Sequence, residues 1–141
     1  KDTLRKFVSE LQNKYDFSFK WIRLFYMYGE GQSEKSLLSL LGKAIENKKV
    51  EFNMSGGEQL RDYLHISDVA FNIVEIMKQG NVDGIINCCS GKPLSIRNLV
   101  ENYLESKNYQ LKLNLGFYPY VDYEPMAFWG SNEKLLKIIK K

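Results

Sequence analysis

One stretch limits the possible folds of this chain more than any other: Ser55-Gly56-Gly57-Glu58-Gln59-Leu60-Arg61-Asp62-Tyr63-Leu64-His65-Ile66-Ser67-Asp68-Val69. Gly56-Gly57 admits positive φ and a tight reversal. Tyr63, His65 and Ser67 alternate with Leu64 and Ile66, the period of a short half-buried strand. Ser67 or Asp68 suits the N-cap of the apolar helix that follows. Arg61 then stands on a rigid turn just before a strand, where its donors can fork around a phosphate. A blander reading stands beside this one: Arg61 merely pairs with Asp62 or a neighbouring carboxylate, since charged residues near turns are usually solvated.

On either side of this stretch, helical and extended patterns take turns. Residues 1 to 14 place Leu4, Phe7, Val8 and Leu11 on one helical stripe. The near-continuous apolar run within 17–28, from Trp21 to Tyr28, predicts one strand covered on both faces, as in a parallel sheet. Ser33 is expected to cap a helix over 36–46, and Val50-Glu51-Phe52 reads as a short strand before the glycines. A third helix covers 69–78, with Val69, Ile73, Val74, Ile76 and Met77 inward and Gly80 as its stop. Residues 84–89 form a buried strand, and Ser95 caps a fourth helix with Ile96, Leu99, Val100, Tyr103 and Leu104 as its stripe. Residues 111–115 alternate as a strand, and 118–129 form an aromatic loop. Asn132 is expected to cap a last helix over 133–140. The class is therefore α/β with parallel pairing, and no linker or repeat divides 1–141.

A length of 141 residues suits one domain. The net charge of +3 comes from 20 basic and 17 acidic residues without a basic block, so nothing argues for nucleic acid as a partner. No apolar run approaches the roughly 20 residues of a membrane span, and no secretory signal stands at the start. Cys88 and Cys89 are adjacent in an apolar run. Strand neighbours point to opposite faces, which argues against an intrachain disulfide or a shared metal site. They read as buried thiols of a reducing compartment, the cytoplasm. With His65 as the one histidine and no cysteine pair at ligand spacing, no metal site is expected.

Two absences matter. Gly29-Glu30-Gly31 and Gly56-Gly57 are not the glycine fingerprint that joins a first strand to a first helix in dinucleotide-binding domains. No Ser/His/Asp or Cys/His set can be assembled around one histidine. From its residues alone, the chain is an α/β domain with a candidate anion site at Arg61.

Four stretches, in order along the chain, carry a resemblance. Ile22-Arg23-Leu24-Phe25-Tyr26-Met27-Tyr28-Gly29 is similar to a segment of the type R-x-F-N-x-Y-G. Residues Gly57 to Ala70 match G-x-x-x-R-D-Y-x-H-V-x-D-x-A. Gly84-Ile85-Ile86-Asn87-Cys88-Cys89-Ser90-Gly91 is similar to G-x-x-N-x-x-x-G. Glu124 to Ser131 resembles a closing segment before a terminal helix. The chain thus resembles the C-terminal half of an extended short-chain dehydrogenase/reductase of the sugar-nucleotide epimerase/dehydratase group.

The resemblance implies a partial Rossmann-like fold: the C-terminal part of the parallel sheet with a small substrate-binding subdomain. A dinucleotide-binding half would precede it and hold most of the NAD or NADP. Lys1 heads a helix as the lysine of the family's Y-x-x-x-K does, where the lysine holds the nicotinamide ribose and lowers the tyrosine pKa. An arbitrary start at Lys1 is the alternative. By the same resemblance Arg61 binds a nucleotide-sugar diphosphate, Glu124 lies near the nucleotide, and Tyr26 stands where many members have a substrate-contacting Asn. Tyr28 and Gly29 line the nicotinamide end of the cofactor site. Asp68 reads as a helix cap, His65 as a packed strand residue, and Asn87 as an organiser of the loop after its strand or a buried hydrogen-bond partner.

Three departures leave epimerase, dehydratase and reductase open. Tyr26 replaces Asn, Ser131 stands where an Asp often begins the last helix, and no second arginine precedes Glu124. The expectation is the nucleotide-sugar-binding half of such an enzyme, inactive alone, whose parent dimerises through the helix begun at Lys1. The alternative is a non-catalytic binding or assembly module that reuses the half-fold.

Overall fold

A computed structural model describes residues 1–139. Its elements are α1 (Asp2–Leu11), β1 (Lys20–Leu24), β2 (Tyr26–Tyr28), α2 (Leu37–Glu46), β3 (Glu51–Asn53), β4 (Leu60–Arg61), β5 (Tyr63–His65), α3 (Ile66–Lys78), β6 (Gly84–Cys88), β7 (Leu94–Ser95), α4 (Ile96–Ser106), β8 (Lys112–Asn114), β9 (Ala127–Phe128) and α5 (Glu133–Ile139). The pairs β1–β6, β2–β5 and β3–β8 are all parallel, with Lys20 opposite Gly84 and Leu24 opposite Cys88 in the first. Parallel partners need long crossovers, which the intervening helices supply. β4 runs antiparallel to β7 and parallel to β9.

The aromatic run expected as one strand is two. The chain changes partner at Phe25: β1 pairs with β6, whereas β2 pairs with β5. The Phe25 ring leaves the ladder and stacks on Phe128 with centroids 5.3 Å apart. Gly130 makes room for it, since a Cβ there would lie 2.5 Å from Phe25 Cζ. The expected cover on both faces is also missing: Leu24, Tyr26 and Met27 are exposed. Among the described residues, β1 and β2 each have a partner on one side only.

Several caps differ from expectation. Ser36, not Ser33, caps α2, its hydroxyl accepting the Ser39 N–H. β5 runs into α3 without a loop, so its last residue, His65, is the N-cap and its Nδ1 accepts the Ser67 N–H. Ser67 and Asp68 lie inside the helix. At the other end Gln79 replaces Gly80 as the organiser. Its side-chain oxygen accepts from Asn81 and Val82, and its nitrogen donates to the carbonyls of Ile76 and Val82. Asn132 does not cap α5, because its amide donates to the Ser90 carbonyl at 2.7 Å. The Ser131 hydroxyl accepts the Glu133 N–H instead. Lys140, the expected helix end, lies outside the described residues. Ser95 caps α4 as its sequence predicts.

Two apolar clusters result. One joins Leu38 and Leu41 of α2, Met54, and Leu99, Val100 and Leu104 of α4. The other joins Ile76, Ile86, Leu135 and Ile138. Within α3, Val74 and Met77 turn outward, and Asn72 turns inward to donate to the Cys88 sulfur at 3.8 Å. α1 contributes to neither cluster: Leu4 and Phe7 are 57% and 61% exposed.

The glycine turn fits against α4. Gly57 has φ +77°, and a Cβ on it would lie 2.8 Å from Arg97 Cβ and 3.1 Å from Arg97 N. Its carbonyl accepts the Arg97 N–H. Gly57→Ala is expected to lower the unfolding free energy by about 1–3 kcal/mol, read as a fall in the urea midpoint at unchanged slope.

Candidate functional site

Arg61 lies within a strand, not on the turn before one. It is the second residue of β4, opposite Leu94 on one side and Phe128 on the other. Its side chain is 2% exposed. One guanidinium nitrogen donates to the Leu60 carbonyl at 2.9 Å, and the other reaches Glu124 Oε2 at 3.5 Å. The guanidinium carbon sits 5.6 Å from the centroid of the Tyr26 ring. Glu124 Oε2 also accepts from the amide of the buried Gln59 at 3.4 Å. The Glu124 carboxylate itself is 46% exposed.

The pairing of Arg61 with Asp62 does not occur; the neighbouring carboxylate that Arg61 meets is Glu124. Adjacent residues in extended chain point to opposite sides, so Asp62 faces away. It is fully buried and accepts the backbone N–H groups of Ser90 and Gly91 at 2.7 and 2.9 Å. Asp62 thereby tethers the loop after β6 to the junction of β4 and β5, and Asn132 holds the same loop through Ser90. Sequence reasoning missed both Asp62 and Gln59 as structural partners of the site. The available signal was the period of two, which puts Arg61 and Asp62 on opposite faces.

Tyr26 joins Arg61 directly. Its N–H donates to the Asp62 carbonyl at 3.2 Å, and its ring lies 5.5 Å from that of Tyr63. Tyr28 meets His65 edge-on at 5.2 Å. Gly29, at φ +131°, passes so close to α3 that a Cβ would lie 2.7 Å from Ile66 Cγ2. Burial pushes the Tyr63 hydroxyl above its ordinary range, with Tyr26 adding to the effect and Arg61 opposing it. Burial also raises both thiols, Cys89 to about 11 with the Asp62 carboxylate contributing, so neither is a nucleophile at neutral pH.

Lys1 stands elsewhere. It lines a cleft of about 820 Å³ with Leu24, Phe25, Asn87 and Trp129, and neither Tyr28, Gly29 nor Arg61 borders it. Asn87 donates to the Ser131 carbonyl at 3.0 Å, while its Oδ1 is buried without a donor among the described residues. The cleft wall thus carries the Lys1 cation and the Trp129 indole. The described residues offer no glycine-rich strand-to-helix loop for the pyrophosphate of a dinucleotide. A further cleft, of about 630 Å³, has Leu37, Leu40, Phe52 and Met54 in its walls and Tyr118 at its edge. The structure thus gathers Arg61, Tyr26 and Glu124, holds Tyr28 and Gly29 beside α3, and sets Lys1 in its own cleft. Among the described residues, no group of three or more His, Cys, Asp or Glu side chains is arranged to hold a metal ion. No helix there is long and apolar enough to cross a membrane.

Asp62→Ala leaves two backbone donors without an acceptor and is expected to destabilise the chain by about 3 kcal/mol, measured by urea unfolding. The raised Cys89 pKa sets an alkaline limit. The unfolded thiol ionises near its ordinary value of 9.0 and the folded one near 11, so stability is full below pH 9 and falls between 9 and 11. Urea midpoints across that range are expected to decline, and Cys89→Ser to flatten the decline.

The model of the NAD dependent epimerase/dehydratase family matches residues 1–89. That span contains Lys1, Tyr26, Tyr28, Gly29 and Arg61, while Glu124 lies beyond it. The dTDP-6-deoxy-L-talose 4-dehydrogenase (NAD(+)) of Aggregatibacter actinomycetemcomitans is 33% identical over 118 residues, 82% of this chain and 43% of that protein. The chain therefore spans less than half the length of this curated relative. A UDP-N-acetylglucosamine 4-epimerase from Methanobrevibacter ruminantium, solved with UDP-N-acetylmuramic acid, superposes with TM-score 0.81 at 20% identity, over 99% of this chain and 46% of that one. RMD from Pseudomonas aeruginosa, solved with NADPH, gives TM-score 0.79 at 17% identity, over 96% of this chain and 46% of that one. The shared architecture is the Rossmann-like α/β fold.

Proposed function

Since the chain belongs to the NAD-dependent epimerase/dehydratase family, we propose that it is the nucleotide-sugar-binding half of an NAD(P)-dependent sugar-nucleotide epimerase, dehydratase or reductase. One observation carries the reading: a buried guanidinium, fixed by the Leu60 carbonyl and the Tyr26 ring, with its other terminal nitrogen 3.5 Å from a half-exposed carboxylate. Such an arginine is pre-organised to fork onto a diphosphate.

A bound nicotinamide would supply hydride transfer at a sugar carbon, with a 4-keto sugar as product or intermediate. The residues of this chain bind and orient. Arg61 holds the diphosphate. Tyr26, in place of an Asn, walls the sugar side, and Glu124 lies beside the nucleotide. Lys1 holds the nicotinamide ribose, and Tyr28 and Gly29 line that end of the cofactor site. The Lys1 cation and the indole that line this cleft support the assignment. The exposed Leu4 and Phe7 stripe of α1 supports pairing of two parent copies through that helix. The buried thiols support a reducing, cytoplasmic setting.

Without a dinucleotide fingerprint, Lys1–Lys141 alone is expected to show no turnover with NAD and a nucleotide-sugar, assayed as NADH formation. Calorimetry with dTDP and UDP tests the anion site. Arg61→Lys keeps the charge but loses the fork, and is expected to weaken binding by about tenfold or more, measured at a temperature where circular dichroism shows both proteins folded. Equal affinity in the two proteins would remove the basis of the reading.

A further inference from the structure

A guanidinium that is 2% exposed and already in contact with a carboxylate cannot receive an external dianion as it stands. Something must move, and the structure identifies which segment. Residues 118–126 cross from the Met54 cleft to Arg61. The segment is fastened at one end by Tyr118 N–H to the Met54 carbonyl at 3.4 Å, and at the other by Leu60 N–H to the Met126 carbonyl at 2.8 Å. Between these ends its residues are exposed, with Tyr120 the exception.

The Tyr120 hydroxyl donates to Glu58 Oε2 at 3.0 Å and accepts the Glu58 backbone N–H at 3.1 Å. It reaches that position because residue 56 is glycine: a Cβ on Gly56 would lie 2.5 Å from the hydroxyl oxygen. Four residues further on, Glu124 makes the segment's other side-chain contacts, to Arg61 and Gln59. At 3.4–3.5 Å these are long, whereas the two at Tyr120 are of ordinary length. Of the two side-chain attachments between the fastened ends, Tyr120 is therefore the firm one, and the carboxylate over the guanidinium the weak one.

Resting on the reading of Arg61 as a diphosphate ligand, we infer that Tyr120 is a positioning residue. It latches segment 118–126 across the site, and a diphosphate reaches Arg61 by displacing the Glu124 carboxylate as the latch opens. The exchange is of one anion for another on the same donors, so no buried charge is left unpaired. Glu124, once released, is free to face the ligand. The ligand-free chain is then mostly in a form that does not bind, which lowers the apparent affinity by the fraction that is open.

Two measurements on Lys1–Lys141 test this. Without ligand, Tyr120→Phe keeps the ring and removes both hydrogen bonds, and is expected to raise amide hydrogen exchange in 118–126 by about tenfold while exchange in α4 is unchanged. With dTDP as the probe, Tyr120→Phe is expected to bind several-fold tighter than the parent chain, and Glu124→Gln likewise. Unchanged exchange in the segment would overturn the latch, whatever the ligand data show. Faster exchange with equal or weaker dTDP binding in Tyr120→Phe would overturn the gating role and leave the anion site intact. Binding of dTDP that is indifferent to Arg61→Lys would overturn the anion site, and the gate with it.

Discussion

The carboxylate of Asp62 is the interaction on which the arrangement turns. It is fully buried, and it receives two backbone N–H groups from the loop after β6. A charge in that position is tolerated because both donors are held close and aimed at it. The tether joins two parts of the fold that share no strand pairing, the β4–β5 junction and the end of β6. It also fixes the orientation of the neighbouring residue. With Asp62 committed to one side, Arg61 must turn to the other, where Tyr26, Gln59 and Glu124 meet.

The magnitudes around Arg61 explain why the site is poised and not closed by an ion pair. A contact at 3.5 Å to a half-exposed carboxylate is worth little, of the order of a surface salt bridge at ~0.2–1 kcal/mol. A charged donor to a backbone carbonyl, at 2.9 Å, is worth roughly 1.5–3 kcal/mol. The Leu60 carbonyl and the Tyr26 face therefore hold the guanidinium in place, and the Glu124 contact is the replaceable one. The aromatic ring contributes twice, through the cation–π contact and by excluding water from one face.

The periphery is less settled than the centre. β1 and β2 each have one strand partner, and α1 presents its apolar stripe outward. Edges and stripes of this kind are surfaces on which further chain or another subunit can pack. The apolar clusters lie away from them, between α2 and α4 and between α3, β6 and α5. Folding of this chain is thus secured by short helices on small parallel ladders, while the Lys1 cleft lies beside the open edge.

By itself the sequence determined the α/β class, the number and order of the helices, the Ser95 cap, the glycine turn and the prominence of Arg61. These follow from local periodicity, from cap chemistry and from backbone freedom at Gly57, all of which act within a few residues. It also carried the family, through the run from Gly57 to Ala70. Only the tertiary structure decided that the aromatic run breaks at Phe25, that His65 and Gln79 bound α3, that Asn132 serves Ser90 instead of its own helix, and that Asp62 faces away from Arg61. The break at Phe25, the place of Asn132 and the facing of Asp62 depend on partners distant in sequence — Phe128, Ser90, Gly91 — that override the local preference through ring stacking or because a buried polar group must find its hydrogen bond. His65 and Gln79, by contrast, bound α3 through contacts two or three residues away, once the fold has set where β5 ends and the helix stops.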